Sequence, residues 1–223
     1  MSLLTIERKV LERNDAIAEK NRETLHKHGV FCVNIVSSPG SGKTTLIERT
    51  LEGVKNLFRI AVIEGDVQTD LDARRIAAYG VPTVQIVTNG GCHLEAHLIA
   101  DALNGISLAD ADLLLIENVG NLVCPASYDL GEEIKVVVLS VTEGDDKPLK
   151  YPAMFRNAAV LVVNKIDLLP YLRCSIDTLV ANALGINPRL KVFRLSSATS
   201  EGVEAWTSWL VESVARHRKE PSA

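Results

Sequence analysis

Ser37-Ser38-Pro39-Gly40-Ser41-Gly42-Lys43-Thr44-Thr45 follows the apolar run Val30-Phe31-Cys32-Val33-Asn34-Ile35-Val36 and precedes a segment of helical character. Strand, glycine turn, Gly-Lys-Thr and helix, in that order, make a phosphate-binding P-loop. Gly40 and Gly42 let the backbone curl so that successive N–H groups face phosphate oxygens. The following helix adds the positive end of its dipole. Lys43 is expected to reach the β- and γ-phosphates and the Thr44 hydroxyl to ligate Mg²⁺, with Ser38, Ser41 and Thr45 completing the phosphate-binding stretch. Ser37 stands where a P-loop usually has its first glycine, so a slightly different exit from the strand is expected.

A second segment selects the base. The β-branched run Val160-Leu161-Val162-Val163 leads into Asn164-Lys165-Ile166-Asp167. A carboxylate only accepts hydrogen bonds, so Asp167 can take two from the N1–H and 2-amino group of guanine, an arrangement adenine lacks. Asn164 is expected on the other edge of the base, and the Lys165 stem over its face. Downstream, Ser196-Ser197-Ala198 is similar to the short loop with which GTPases close over the base, which nominates Ser197 and Ala198. GTP or GDP with Mg²⁺ is the expected ligand.

Outward from these motifs, strand candidates fall at 30–37, 59–64, 83–87, 112–117, 134–142, 159–163 and 190–195. Most are unbroken Val/Ile/Leu runs, the pattern of strands buried on both faces. Helical segments fall between them at 43–54, 69–79, 93–104, 147–157, 175–184 and 201–217. The alternation predicts an α/β fold: a doubly wound, mostly parallel sheet, a P-loop NTPase domain over residues 30–217. Residues 1–29 form an N-terminal helix packed on it, with Ile6, Val10, Ile17 and Leu25 as a sparse apolar stripe, and residues 218–223 a polar, frayed tail.

Composition sets limits. The chain has 223 residues, enough for one large domain, and is 47% apolar with 4% aromatics, as suits an aliphatic α/β core. A net charge of −4 gives no basic footprint for nucleic acid. No apolar run approaches bilayer length, and residues 6–27 are too charged for a signal core, so no membrane association and a cytoplasmic location are expected. Cys32, Cys92, Cys124 and Cys174 are scattered and, in a reducing compartment, free or metal-bound.

Two acids sit where Mg²⁺ is expected. Asp112-Leu113-Leu114-Leu115-Ile116-Glu117 is a strand ending in a carboxylate, as the strand beside a P-loop does, and Glu117-Asn118-Val119-Gly120 has the acid-x-x-Gly spacing of GTPases. Asp66 lies just past strand 59–64, at the ligand-binding edge of such sheets. Asp66, Glu117 and Thr44 are thus the Mg²⁺ candidates, and Lys43, Asp66 and Glu117 the catalytic ones. Asp70, Asp72 and Arg74 are ambiguous, with Asp70 better read as a helix cap. Lys147 and Lys150 could approach phosphate across a dimer, or be solvated.

Gly91-Cys92-His93 opens the 93–104 helix, and Cys124-Pro125 follows the Glu117 strand. Both segments follow carboxyl strand ends. Near a helix N-terminus Cys92 would be a ready thiolate. Cys92, His93 and Cys124 supply two thiolates and an imidazole, one ligand short of a closed tetrahedron, which a symmetry mate could complete. Two isolated cysteines and a polar loop histidine remain the alternative. His97 reads as a surface residue, Cys32 and Cys174 as structural.

Taken together, residues 37–45, Glu64-Gly65-Asp66-Val67-Gln68-Thr69, Gly90-Gly91-Cys92-His93-Leu94-Glu95-Ala96, Glu117-Asn118-Val119-Gly120-Asn121-Leu122-Val123-Cys124-Pro125-Ala126 and Asn164-Lys165-Ile166-Asp167 closely resemble the hydrogenase nickel-incorporation GTPases of the HypB family. The resemblance runs over nearly the whole chain. It implies a nucleotide-dimerised metallochaperone GTPase with Ni²⁺ or Zn²⁺ at Cys92, His93 and Cys124. Implied partners are a second copy, a nickel-binding hydrogenase accessory protein and the hydrogenase large-subunit precursor. Residues 1–29 contain no cysteine and only His26 and His28, so the N-terminal cysteine motif and histidine tract of some members are not matched there, and neither high-affinity nickel capture nor nickel storage by these residues is expected. A urease-type or other metallocofactor-assembly GTPase, a non-metal regulatory GTPase and a small-molecule P-loop kinase are the alternatives; guanine selection argues against the last.

Overall fold

The computed structural model describes the backbone of residues 3–219 and the side chains of residues 8–219. Seven strands form one sheet: β1 (Phe31–Ser37), β2 (Ile60–Asp66), β3 (Thr83–Val87), β4 (Leu113–Glu117), β5 (Ile134–Ser140), β6 (Val160–Asn164) and β7 (Lys191–Arg194). Their order is β3-β2-β4-β1-β5-β6-β7. Every pairing is parallel, so the expected mostly parallel sheet is wholly so. All seven expected strands are present. The P-loop strand β1 lies at the centre, buried along its whole length between β4 and β5.

The helices are α1 (Leu3–Lys27), α2 (Lys43–Val54), α3 (Leu71–Ala77), α4 (Ala96–Leu103), α5 (Lys147–Lys150), α6 (Pro152–Arg156), α7 (Ile176–Ile186) and α8 (Val203–His217). The single helix expected over 147–157 is two. Proline disfavours helical geometry in the residue before it, and Tyr151, ahead of Pro152, leaves the helix at φ −127°, ψ 51°. The helix expected from residue 93 starts at Ala96, because Glu95 is extended (φ −117°, ψ 158°). Residues 88–95 are therefore a loop, and Cys92 is not in a first helical turn.

One face of the sheet packs on α2 and α8 around Val33, Ile35, Leu46, Ile47, Leu51 and Trp206. Trp206 is fully buried, and its indole N–H donates to Thr50 Oγ1 at 2.9 Å. Truncating such a side chain to alanine costs about 3–5 kcal/mol. The other face carries two aliphatic clusters, one including Ile63, Leu94 and Leu114, the other Val137, Phe155 and Leu161.

The expected apolar stripe of α1 is corrected. Asn14, Ala18, Asn21 and Leu25 are its buried face, Val10 is 44% exposed, and the Ile6 side chain lies outside the described residues. Two amides face inward because the loops beneath offer backbone groups that need partners. Asn14 accepts from Ala96 N (2.9 Å) and donates to the Asp129 carbonyl (2.8 Å). Asn21 donates to the carbonyls of Ala96 (2.8 Å) and Leu130 (3.0 Å). Of the expected 218–223 tail, residues 220–223 lie outside the described residues, and Arg218 reaches Asp112 at 3.4 Å. Among the described residues no helix is long and apolar enough to cross a membrane.

Candidate nucleotide and metal site

The β1–α2 turn has the geometry its sequence requires. Gly40 (φ 74°) and Gly42 (φ 95°) take left-handed conformations, and α2 begins at Lys43. A Cβ on Gly42 would lie 2.6 Å from Asn164 Nδ2, so the loop tolerates no side chain there. Ser37 explains its own departure from the usual glycine. It is buried, donates to the Ser38 carbonyl (2.6 Å) and accepts from Lys43 Nζ (3.1 Å), so its hydroxyl holds the lysine over the loop. Ser41 Oγ bonds the Ser38 carbonyl (2.8 Å) and Glu143 Oε1 (2.7 Å). Glu143 lies just after β5 and was not a sequence candidate. Lys147 sits 3.6 Å from Glu143, while Lys150 pairs with Asp146 at 2.6 Å on its own turn.

The base-side residues converge on the same loop. Asn164, expected on the base edge, has both ends of its amide engaged by protein. Its Nδ2 donates to the Ser41 carbonyl (2.9 Å), and its Oδ1 accepts from Lys165 N (2.8 Å), Ser197 N (3.0 Å) and Ser197 Oγ (3.1 Å). It locks the P-loop, the Asn-Lys-x-Asp turn and the Ser-Ala loop together. Lys165 takes φ 61° and lays its ammonium on the Gly40 carbonyl at 2.6 Å. Asp167 Oδ1 is buried without a hydrogen-bond partner among the described residues, as suits an acceptor meant for a ligand's donors.

The acids separate into two kinds. Glu117 is buried at the end of β4, and its Oε1 accepts from Thr44 Oγ1 at 2.8 Å. Glu64 is its register partner on β2, so both carboxyls leave the same face of the sheet. Glu64, Asp72 and Glu117 bring oxygens within 4.8 Å of one another. Burial pushes Glu64 up to about 8, with Glu117 and Asp66 adding, and burial pushes Glu117 to about 7 against the pull of Lys43. Glu64 Oε2 and Glu117 Oε2 are buried without hydrogen-bond partners among the described residues. Crowded, desolvated oxygens of this kind fit Mg²⁺. Asp66, by contrast, is occupied by its own turn, accepting from Val67 N, Thr69 N and Thr69 Oγ1. Burial raises Asp66, but these bonds and Lys43 outweigh it and hold the group below the usual carboxylate range. Asp70 is the N-cap of α3 by position, though its carboxylate pairs with Arg74 at 2.7 Å.

Cys92, His93 and Cys124 are brought together. Cys92 Sγ is 2.9 Å from Cys124 Sγ and 3.6 Å from His93 Nδ1. The three ligand atoms lie within 4.8 Å of one another. His93 stacks on Tyr128 (ring centroids 4.1 Å), and burial lowers its pKa, favouring the neutral, ligating form. With Nδ1 towards the thiols, Nε2 lies 3.7 Å from Glu95, beyond hydrogen-bonding distance, and is buried without a hydrogen-bond partner among the described residues. The hydrogen bond from Cys92 raises the Cys124 thiol. Two sulfurs and an imidazole fit Zn²⁺ or Ni²⁺. The thiolate expectation for Cys92 loses its helix-dipole basis, since α4 begins at Ala96. His97 stays outside the cluster, 53% exposed and 3.3 Å from Glu95. Cys32 is buried in β1, and Cys174 packs beside the β5–β6 core.

Residues 31–194 match the family described as CobW/HypB/UreG, nucleotide-binding domain. The chain belongs to that family. It is 51% identical over 214 residues to a hydrogenase maturation factor HypB of Rhizobium leguminosarum, covering 96% of this chain and 72% of the relative. A crystal structure of the HypB from Archaeoglobus fulgidus superposes with a TM-score of 0.85 at 43% identity, covering 91% of this chain and 99% of the other. The HypB of Helicobacter pylori, solved in complex with nickel, superposes with a TM-score of 0.87 at 38% identity over 94% and 98% of the two chains.

In this CobW/HypB/UreG chain one residue that sequence reasoning did not single out joins the two halves of the site. Asn118 follows Glu117 directly. Its Oδ1 accepts from Leu94 N (3.1 Å) and Val119 N (2.9 Å), and its Nδ2 donates to Asn34 Oδ1 (3.2 Å). Asn34 donates to Glu132 Oε1 (3.0 Å), whose Oε2 accepts from Leu130 N (2.7 Å). Lys135, 3.6 Å from Glu132, donates to the Pro125 and Tyr128 carbonyls (both 3.0 Å). The Cys92–His93 loop and the Cys124 loop are thus tied to the residue next to Glu117 by a buried polar chain. Gly120 presses on Pro39 of the P-loop, where a Cβ would approach backbone to 3.1 Å.

Proposed function

We propose that this chain is a GTP-hydrolysing metallochaperone that helps insert nickel during nickel–iron hydrogenase maturation, through GTP- and metal-linked dimerisation. Lys43 and the loop amides of residues 38–45 bind the phosphates. Asp167 selects guanine, and Asn164 braces the loops around it. Thr44 and Glu117, with Glu64 and Asp72 beside them, hold Mg²⁺, and Asp66 shapes the adjoining turn. When bound, Mg²⁺ neutralises charge that builds on the phosphates during hydrolysis. Cys92, His93 and Cys124 hold the nickel cargo, or zinc in its place.

The observation that carries this reading is the bond from Leu94 N to Asn118 Oδ1, one residue from Glu117 and one from His93. A change at the Glu117 carboxylate on γ-phosphate loss displaces the backbone that holds the metal loop. This is the order–disorder logic of nucleotide switches. The nickel complex of the Helicobacter pylori relative supports nickel as cargo. The nickel-binding accessory protein and the hydrogenase large-subunit precursor are the proposed partners, in the cytoplasm. The division into an N-terminal helix of residues 1–29 seated on a GTPase domain of residues 30–217 belongs to the proposal, supported by the Asn14 and Asn21 bonds. Sedimentation velocity with GDP, a non-hydrolysable GTP analogue, and each with Ni²⁺ tests it. Dimer formation should be strongest with the analogue and Ni²⁺ together; a monomer under all four conditions contradicts it.

A further inference from the structure

We infer that His26, Glu133 and His217 form a second divalent transition-metal site, at the amino edge of the sheet, opposite the nucleotide. It stands independently of the proposed function. His26 is in the last turn of α1, Glu133 immediately precedes β5, and His217 ends α8. His26 Nε2 lies 2.8 Å from Glu133 Oε2, and His217 Nδ1 lies 3.9 Å from the same oxygen. One ligand atom from each residue falls within 4.8 Å of the others.

Bonds of about 2.0–2.1 Å to a tetrahedral ion place neighbouring ligand atoms about 3.4 Å apart. The two distances to Glu133 Oε2 lie on either side of that value. Two imidazoles and a carboxylate, with a fourth position left to water, are the donors of open zinc sites, and imidazole suits Zn²⁺ and Ni²⁺ alike.

The surroundings hold the ligands in place. His217 is 11% exposed, its ring edge-on to Phe31 (5.4 Å) and to His26 (5.2 Å). Glu133 is pinned by its backbone N–H on the Cys32 carbonyl at 2.9 Å. His26 (44% exposed) and Glu133 (35% exposed) face outward and leave an entry path. A cavity of about 260 Å³ between Phe31, Trp209, Ser213 and Arg216 opens beside them. An ion there would fasten the ends of α1 and α8 to the segment that runs from the Cys124 loop into β5.

The test uses the full chain carrying Cys92→Ala and Cys124→Ala, which removes the thiolate site, titrated with Zn²⁺ and Co²⁺ without nucleotide. One equivalent should still bind and raise the melting temperature. The Co²⁺ form should show d–d absorption without sulfur-to-cobalt charge transfer. Adding His26→Ala, or the shape-conserving Glu133→Gln, should weaken binding at least tenfold while each metal-free variant stays folded by circular dichroism. No uptake in the Cys92→Ala/Cys124→Ala chain, or undiminished uptake after Glu133→Gln, overturns the proposal.

Discussion

The side-chain carbonyl of Asn118 accepts the backbone N–H of Leu94 at 3.1 Å, inside the core. Asn118 is the neighbour of Glu117, whose carboxylate receives the Thr44 hydroxyl at 2.8 Å. Leu94 is the neighbour of His93. Two residues therefore separate the Thr44–Glu117 hydroxyl–carboxylate pair from His93, and the path runs through strand ends and buried hydrogen bonds. Chains of this kind rigidify when fully satisfied and are costly when broken.

Asn118→Ala breaks the link at its narrowest point. Asn34 and the Leu94 amide lose a buried partner, which costs about 1–3 kcal/mol of stability by thermal or denaturant unfolding. GDP affinity should stay near that of the parent, because Asn118 contacts no P-loop residue in the hydrogen-bond network. Nickel affinity should no longer differ between GDP and a GTP analogue. A variant that keeps the full nucleotide dependence rules this path out.

Asp167→Asn replaces an acceptor-only group with one that also presents N–H₂ towards the guanine donors. Hydrogen bonds to charged groups are worth about 1.5–3 kcal/mol, so GDP affinity should fall roughly 10- to 100-fold by fluorescence or calorimetric titration. Xanthine nucleotide, with a carbonyl in place of the amino group, should lose less or gain. Equal loss for both bases would place Asp167 away from the base edge.

Cys92→Ala should abolish stoichiometric Ni²⁺ or Zn²⁺ binding at the Cys92–His93–Cys124 cluster, and with it the metal-dependent part of dimerisation. In the parent chain, binding should release protons and weaken as pH falls, because the ligating thiols must deprotonate. Unchanged stoichiometry and unchanged association in Cys92→Ala would remove the cluster from the mechanism.

Glu64 sets a pH signature in the metal-free protein. Its folded-state pKa of about 8 lies above the ordinary 4.5. Between those values the folded chain holds a proton that the unfolded chain has released, so stability falls as pH rises through that window. In EDTA without nucleotide, Glu64→Gln should melt higher than the parent at pH 8 and level with it near pH 4.5. An equal difference at both pH values would mean that the carboxyl is not desolvated as described.

Much of this was legible in the sequence because it is local. The run from Val30 to Thr45 specifies strand, turn and helix within one stretch, and α2 spans the expected Lys43–Val54. The Val/Ile/Leu runs disclose the inner strands such as β4 and β6, buried on both faces, while the partly exposed edge strands β3 and β7 are legible from the strand–helix alternation. What was hidden depends on long-range placement. Glu64 ends the expected strand 59–64, two residues before the more obvious candidate Asp66, and only the β2–β4 register puts it beside Glu117. Asn34 and Asn118 read as incidental polar residues until the fold stacks them. On α1, an apolar stripe was the natural expectation; Asn14 and Asn21 face inward because they satisfy backbone groups 82 and 109 residues further along the chain. Helix α4 starts late because the backbone at Glu95 is extended, with the preceding Leu94 amide held by Asn118.

Coupling between the nucleotide's terminal phosphate and the cysteine pair is what every other step depends on. Ni²⁺ affinity measured on the same protein, saturated first with Mg²⁺·GDP and then with Mg²⁺ and a non-hydrolysable GTP analogue, tests it most directly. The two dissociation constants should differ at least fivefold, a coupling of about 1 kcal/mol. Identical constants in the two nucleotide states would contradict it.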